Sequence, residues 1–137
     1  MILAFLDASA LVPMELTSDQ WARAFARVMA GLRAAPRLRF VTTNWTLYEA
    51  LAIAQRAGKH RATSLHQRVA ARASVVTVDA DLEAEALRRF LAWQDKGASV
   101  VDHANLLVAQ KFRCQAVISF DADFVPLVRG TGMRLLD

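Results

Sequence analysis

Strands alternating with helices along the whole chain predict an α/β fold built on a mainly parallel sheet. Residues 2–6 are a continuous apolar run of strand length, as suits a parallel strand covered on both faces, and residues 116–120 form a second strand-length run interrupted by Ser119. Each run is closed by a carboxylate, Asp7 and Asp121 in near-identical phrases. Ligands of such sheets bind outside the carboxyl ends of the strands, where these acids stand. The length of 137 residues predicts a single domain, 1–137, large enough for a two- or three-layer core.

The elements follow in order. Residues 2–6 form the first strand. Thr17-x-x-Gln20 resembles a capping box, and Trp21, Phe25, Val28, Met29 and Leu32 repeat with helical period, so 18–34 is read as a helix ended by Pro36. Residues 39–42 make a short second strand. A helix over 44–57 buries Leu47, Leu51 and Ile53 and stops at Gly58, and another covers 60–73. The β-branched stretch 75–78 is a third strand, followed by a helix over 80–94 that ends near Gly97. Ser99-x-x-Asp102 opens a helix running to Phe112, residues 116–120 are a fourth strand, and 133–136 offer a short fifth.

Composition narrows the function. A hydrophobic fraction of 55% excludes a disordered chain. Cys114 is the lone cysteine, so no internal disulfide forms and a reducing cytosol fits. The apolar N-terminus lacks a basic flank and is broken by Asp7, which reads as a strand rather than a signal peptide, and no run approaches a membrane span. Net charge is +4, from 17 Lys and Arg against 13 Asp and Glu. If four acids converge in one site, nine acids remain against 17 cations, an excess of eight, and 14 of those cations are arginine. Arginine-rich surfaces suit phosphate and nucleic acid; an ordinarily solvated surface is the other reading.

Asp7, Glu49, Asp102 and Asp121 are the candidate catalytic residues and metal ligands. Each also has a local reading. Asp7 can cap a turn, while Thr46-x-x-Glu49 and Ser99-x-x-Asp102 fit capping boxes. Converged carboxylates repel one another unless a cation neutralises them, and hard oxygen donors suit Mg²⁺ or Mn²⁺. The three histidines have no zinc-type spacing. Ser9, Ser119 and Asp123 are auxiliary candidates. Ser9 orients Asp7, whereas Asp123 either binds the ion through water or caps the next turn.

Together these motifs are similar to those of the PIN-domain nucleases, and among them resemble the VapC-type toxins of toxin–antitoxin pairs. The matching phrases are Asp7-Ala-Ser-Ala-Leu-Val12, Tyr48-Glu49-Ala50, Asp102-His-Ala-Asn-Leu-Leu-Val-Ala109 and Ser119-Phe-Asp-Ala-Asp-Phe124. The resemblance implies a three-layer α/β/α fold with four to five strands in the order 3-2-1-4-5. It also implies one acidic pocket, with Asp7 and Asp102 as the surest metal ligands. Val101 and His103 depart from the usual pattern, and His103 is expected either to contact substrate or to face solvent.

The implied activity is that of a cytoplasmic Mg²⁺- or Mn²⁺-dependent endoribonuclease, cutting RNA by metal-activated water to leave a 5′-phosphate. The implied partners are a cognate antitoxin and a second copy of the chain. Arg56, Lys59, Arg61, Arg68 and Arg72 form the densest basic stretch, either a rail for RNA phosphates or a solvated or partner-binding helix face. Trp21, Trp45 and Trp93 are candidates for base stacking, with core packing the better reading for at least two. The competing function is a non-catalytic PIN module that binds RNA or protein. An aspartyl phosphatase is disfavoured because Ser9 stands where a second acid is needed, and a dinucleotide fold because no glycine-rich turn follows the first strand.

Overall fold

The computed structural model describes residues 2–137. Among them β1 (Ile2–Leu6), β2 (Leu38–Thr43), β3 (Ala73–Val76), β4 (Ala116–Ile118) and β5 (Arg134–Leu136) form one sheet. Its order is β3-β2-β1-β4-β5, and every neighbouring pair is parallel. Helices α1 (Ala8–Leu11), α2 (Ala22–Leu32), α3 (Asn44–Ala54), α4 (Lys59–Arg72), α5 (Ala80–Ala92), α6 (Val100–Lys111) and α7 (Val125–Val128) complete the fold. None of them is long and apolar enough to cross a membrane.

The apolar central strands β1 and β4 are explained by two cores. Pleating sends Ala4, Leu6, Ala116 and Ile118 to one face, against Leu11, Leu47, Ala50, Leu65 and Val69 of α1, α3 and α4. Phe5 and Val117 point to the other, against Leu106, Val108 and Ala109 of α6 and Leu127 and Val128 of α7. With both faces of the central strands covered, an α/β/α sandwich results. The buried Thr42 and Thr43 of β2 are admitted because their hydroxyls donate to the Leu6 carbonyl and to Asn105 Oδ1. Helix α5 packs outside α6 through Ala86 and Ala104.

Several boundaries differ from the pattern reading. The first long helix starts at Ala22 instead of residue 18, because the Asp19 carboxylate accepts the Trp21 N–H at 3.0 Å and turns the chain there. Thr17 and Gln20 therefore build no capping box. The N-cap of α3 is Thr43, whose hydroxyl accepts the Thr46 N–H at 3.1 Å, so Glu49 lies past the first turn and is not a capping residue. The third strand ends at Val76, since the Val78 N–H leaves the sheet for Asn44 Oδ1 at 2.8 Å. The fourth stops at Ile118, where the Phe120 N–H turns to Ser9 Oγ at 2.9 Å.

Candidate active site

The register of the sheet brings the first two acids together. Leu6 pairs with Ile118, and the Asp7 N–H donates to the Ile118 carbonyl at 3.1 Å, so Asp7 and Ser119 step off adjacent strands side by side. Asp121 follows two residues later. Glu49 enters from α3 and Asp102 from the start of α6. All four acids line one cavity of about 370 Å³ at the carboxyl end of the sheet, with Ser9, Asp19, Gln20, Trp21, Ile53 and Arg56 also on its wall.

Asp7 is the buried floor of this cavity. Its Oδ2 accepts the Ser9 hydroxyl at 3.0 Å and the Ser119 hydroxyl at 2.9 Å. Each serine oxygen is itself approached by a backbone N–H, from Phe120 at 2.9 Å and from Asp121 at 3.3 Å. With their lone pairs engaged in this way, both hydroxyl protons are directed at Asp7. The other oxygen, Oδ1, accepts Asn105 Nδ2 at a long 3.5 Å.

Burial raises the pKa of Asp7 above the usual carboxylate range, against the lowering effect of the Ser119 hydroxyl, the Ala8 N–H and the Ser9 hydroxyl, and Asp121 adds repulsion. Asp102 closes a capping box: its N–H donates to Ser99 Oγ at 3.1 Å and its Oδ2 accepts the Ser99 N–H at 2.9 Å. The local role and the place in the cavity therefore coincide in one residue. Burial first, and repulsion from Asp7 and Asp121 beyond the relief from Ser99, push its pKa up to about 6. The pKa of Glu49, on the exposed rim, is raised by burial of its carboxyl and by Asp7 and Asp121. The acids thus work against one another.

The donor set is all hard oxygen, as a small divalent cation requires. Among the described residues no three His, Cys, Asp or Glu side chains are disposed to enclose an ion directly. The arrangement fits a cation that retains much of its water shell rather than a closed protein cage.

Other expectations resolve as follows. Asp123 is exposed and outside the cavity wall. It donates its N–H to Asp121 Oδ1 at 2.9 Å, and its own carboxylate lies against Gly97, where a Cβ would collide with it. The glycine thereby admits the loop leading to Ser99. His103 neither faces solvent nor reaches the cavity. It is wholly buried beneath Trp93, edge to face at 5.3 Å between ring centroids, because the helical period turns it away from Asp102 into the core. Burial lowers its pKa, and Arg89 adds to the effect.

The basic stretch divides. Arg56 alone lines the acidic cavity. Lys59 donates to Gln55 Oε1 at 2.7 Å, while Arg61 and Arg68 face the buried Glu15 carboxylate at 4.0 and 3.6 Å. Arg72 borders a separate cavity with Arg37 and Arg39 at the amino-terminal end of β2. Helix α4 is roughly 21 Å long at 1.5 Å per residue, so its basic face leads away from the acids.

Pattern reading missed three residues. Asn105 is fully buried and accepts the Thr46 hydroxyl at 2.8 Å and the Thr43 hydroxyl at 3.2 Å while its amide faces Asp7. The available signal was its place one turn after Asp102 on the same helix. Asp19 and Gln20 reach the cavity through a turn that had been read as helix.

The chain matches no protein-family model and no curated protein. Solved structures do share its architecture. VapC20 of Mycobacterium tuberculosis, a sarcin–ricin loop cleaving toxin, superposes with a TM-score of 0.78 at 24% identity, over 90% of this chain and 94% of that one. VapBC2 of Rickettsia felis, solved bound to a DNA fragment from its promoter, gives 0.67 at 10% identity over 98% and 97%. PAE2754 of Pyrobaculum aerophilum gives 0.62 at 17% identity over 98% and 90%. The likeness is one of fold, and the fold of this chain is the PIN-like α/β/α sandwich of the VapC-type toxins.

Proposed function

We propose that this protein is a Mg²⁺- or Mn²⁺-dependent endoribonuclease, the toxin of a toxin–antitoxin pair. The observation that carries the reading is the convergence of Asp7, Glu49, Asp102 and Asp121 on one cavity, with no cation but Arg56 among the residues found on its wall. An excess of arginine on the remaining surface supports a polyanionic substrate. The toxin activity of VapC20 and the antitoxin-paired form of VapBC2, both on this fold, support RNA as substrate and an antitoxin as partner.

Asp7 and Asp102 would hold the ion, with Glu49 and Asp121 completing or tuning its water shell. When bound, such an ion offsets the crowded negative charge and acidifies a coordinated water for attack on phosphorus. The chain's own contribution is positional. Ser9, Ser119 and Asn105 lock Asp7, and the Ser99 capping box locks Asp102. Arg56 is placed to hold a phosphate oxygen, and Glu49 and Asp121 to orient water at the rim.

A non-catalytic RNA- or protein-binding module is the second reading, favoured by the lack of a closed ligand cage among the described residues. One experiment separates the two: a mixed RNA pool is incubated with the protein in Mg²⁺, in Mn²⁺ and in EDTA, beside the Asp7→Asn variant. Metal-dependent cuts bearing 5′-phosphates and missing in the variant are expected. Cuts that persist in the variant, or their absence with every RNA and either metal, overturn the nuclease.

A further inference from the structure

Of the three tryptophans, one borders the acidic cavity. Trp45 packs against the small cluster of Val78, Ala86 and Ala104, and Trp93 covers His103. All three are partly buried, but only Trp21 is among the residues lining the cavity wall with Asp7 and Asp121. Its ring stacks on Phe120, with centroids 5.9 Å apart and planes 22° from parallel. The backbone of Phe120 is tied to the site, since its N–H donates to Ser9 Oγ, whose own proton goes to Asp7. The Asp19 carboxylate anchors the Trp21 main chain by accepting its backbone N–H. A large flat ring is therefore stacked at a set position relative to the floor carboxylate.

Trp21 also packs against the core that contains Phe120, but its burial is incomplete and leaves it on the cavity wall. A residue serving only the core would gain more by full burial, as Phe124 does. The wall beside Trp21 also carries Asp19 and Gln20, groups able to meet the polar edge of a base. We propose that Trp21 is a stacking platform for a nucleobase of single-stranded RNA next to the phosphate held at the acids. The proposal rests on the nuclease reading for its substrate class and adds to it only the platform at Trp21. A base within a duplex presents no free face to an indole.

The test measures binding, so that it does not depend on turnover. Asp7→Asn is used as the background to prevent cleavage, in Mg²⁺, with a short mixed-sequence single-stranded RNA and an abasic ribose-phosphate chain of equal length. Adding Trp21→Ala is expected to weaken RNA binding about five- to hundredfold and to leave abasic binding unchanged, the range that base–aromatic stacking supports. Trp21→Phe restores most of the affinity. Trp21→Leu, which keeps apolar bulk should the alanine variant fold poorly, behaves like the alanine.

Equal losses on both probes, or a leucine variant that binds RNA as well as tryptophan, would overturn the platform. So would no loss at all. Cleavage by the protein with Asp7 intact is scored separately: selective RNA binding without any cleavage retains the platform and removes the nuclease, while cleavage without base-selective binding does the reverse.

Discussion

Two buried acids of this molecule, Asp7 at the cavity floor and Glu15 below α4, are 6% and 7% exposed and yet are handled in opposite ways. Glu15 is met by two guanidinium groups, Arg61 and Arg68, and its charge is answered within the chain. Asp7 receives two neutral hydroxyls, an amide and the repulsion of neighbouring acids. Among the described residues two arginines pair with Glu15 and none with Asp7, although Arg56 lines the same cavity as Asp7. The contrast separates a structural ion pair from the cavity at which we propose a cation binds.

The sharpest way to break this comparison is to neutralise each acid. Asp7→Asn is expected to lower RNA cleavage by at least about 10²–10³-fold, the loss typical of removing a group that acts on developing charge. The same variant should melt higher than the parent in EDTA, because it removes a buried charge and, with it, the repulsion from Asp121. If thermal denaturation shows Asp7→Asn to be less stable than the parent without metal, Asp7 is a structural acid like Glu15.

Asn105→Ala comes next. It strips an acceptor from the buried hydroxyls of Thr43 and Thr46 and frees Asp7. A loss of roughly 2–3 kcal/mol in urea unfolding is expected, as for unsatisfied buried polar groups. Cleavage should fall with it, and Asn105→Asp should add a fifth repelling acid and respond more strongly to Mg²⁺.

The third prediction concerns pH. The pKa of Asp102 is raised to about 6, so the folded protein holds that proton more tightly than the unfolded chain does. The stabilisation is fully present below about pH 4, the unfolded value, and is lost as pH rises through 6. Without metal, this contribution to stability should fall across that window by on the order of 1–2 kcal/mol after screening by solvent. Mg²⁺ at neutral pH should recover it, and Asp102→Asn should flatten the dependence. Melting curves from pH 4 to 7, with and without Mg²⁺, check each part.

The smallest effect belongs to the other side of the comparison. Glu15→Gln should cost only about 1 kcal/mol, since its arginine partners are half exposed and keep their hydration. Neither Mg²⁺ response nor cleavage should change. A Mg²⁺-dependent melt altered by Glu15→Gln would join the two regions into one site.

Much of the architecture was legible because it rests on period and local chemistry. Ile2–Leu6 had to be a doubly covered strand, since five successive apolar residues suit no half-exposed element. Ser99 and Asp102 declared a helix start through a reciprocal pair of hydrogen bonds that needs no distant partner. Less local features misled. Thr46 and Glu49 have capping-box spacing, yet Thr43 competes for the same N–H and wins because β2 delivers it to that point. His103 stands next to a site acid in sequence, yet the turn of the helix carries it to the far side of α6.

The chain by itself determined the class of fold, the parallel sheet and the two acids Asp7 and Asp121 at its carboxyl end, because hydrophobic period and strand-end carboxylates are properties of short segments. The place of Glu49 and Asp102 beside them was implied by the family resemblance. Tertiary structure alone decided which cations were committed and which ring bordered the site. Glu15 claims Arg61 and Arg68 across more than forty residues, Asn105 reaches Asp7 from 98 residues away, and Phe120 selects Trp21 from three tryptophans. Such choices depend on which side chains arrive at one point together, and that is settled by the packing of whole elements rather than by any local pattern.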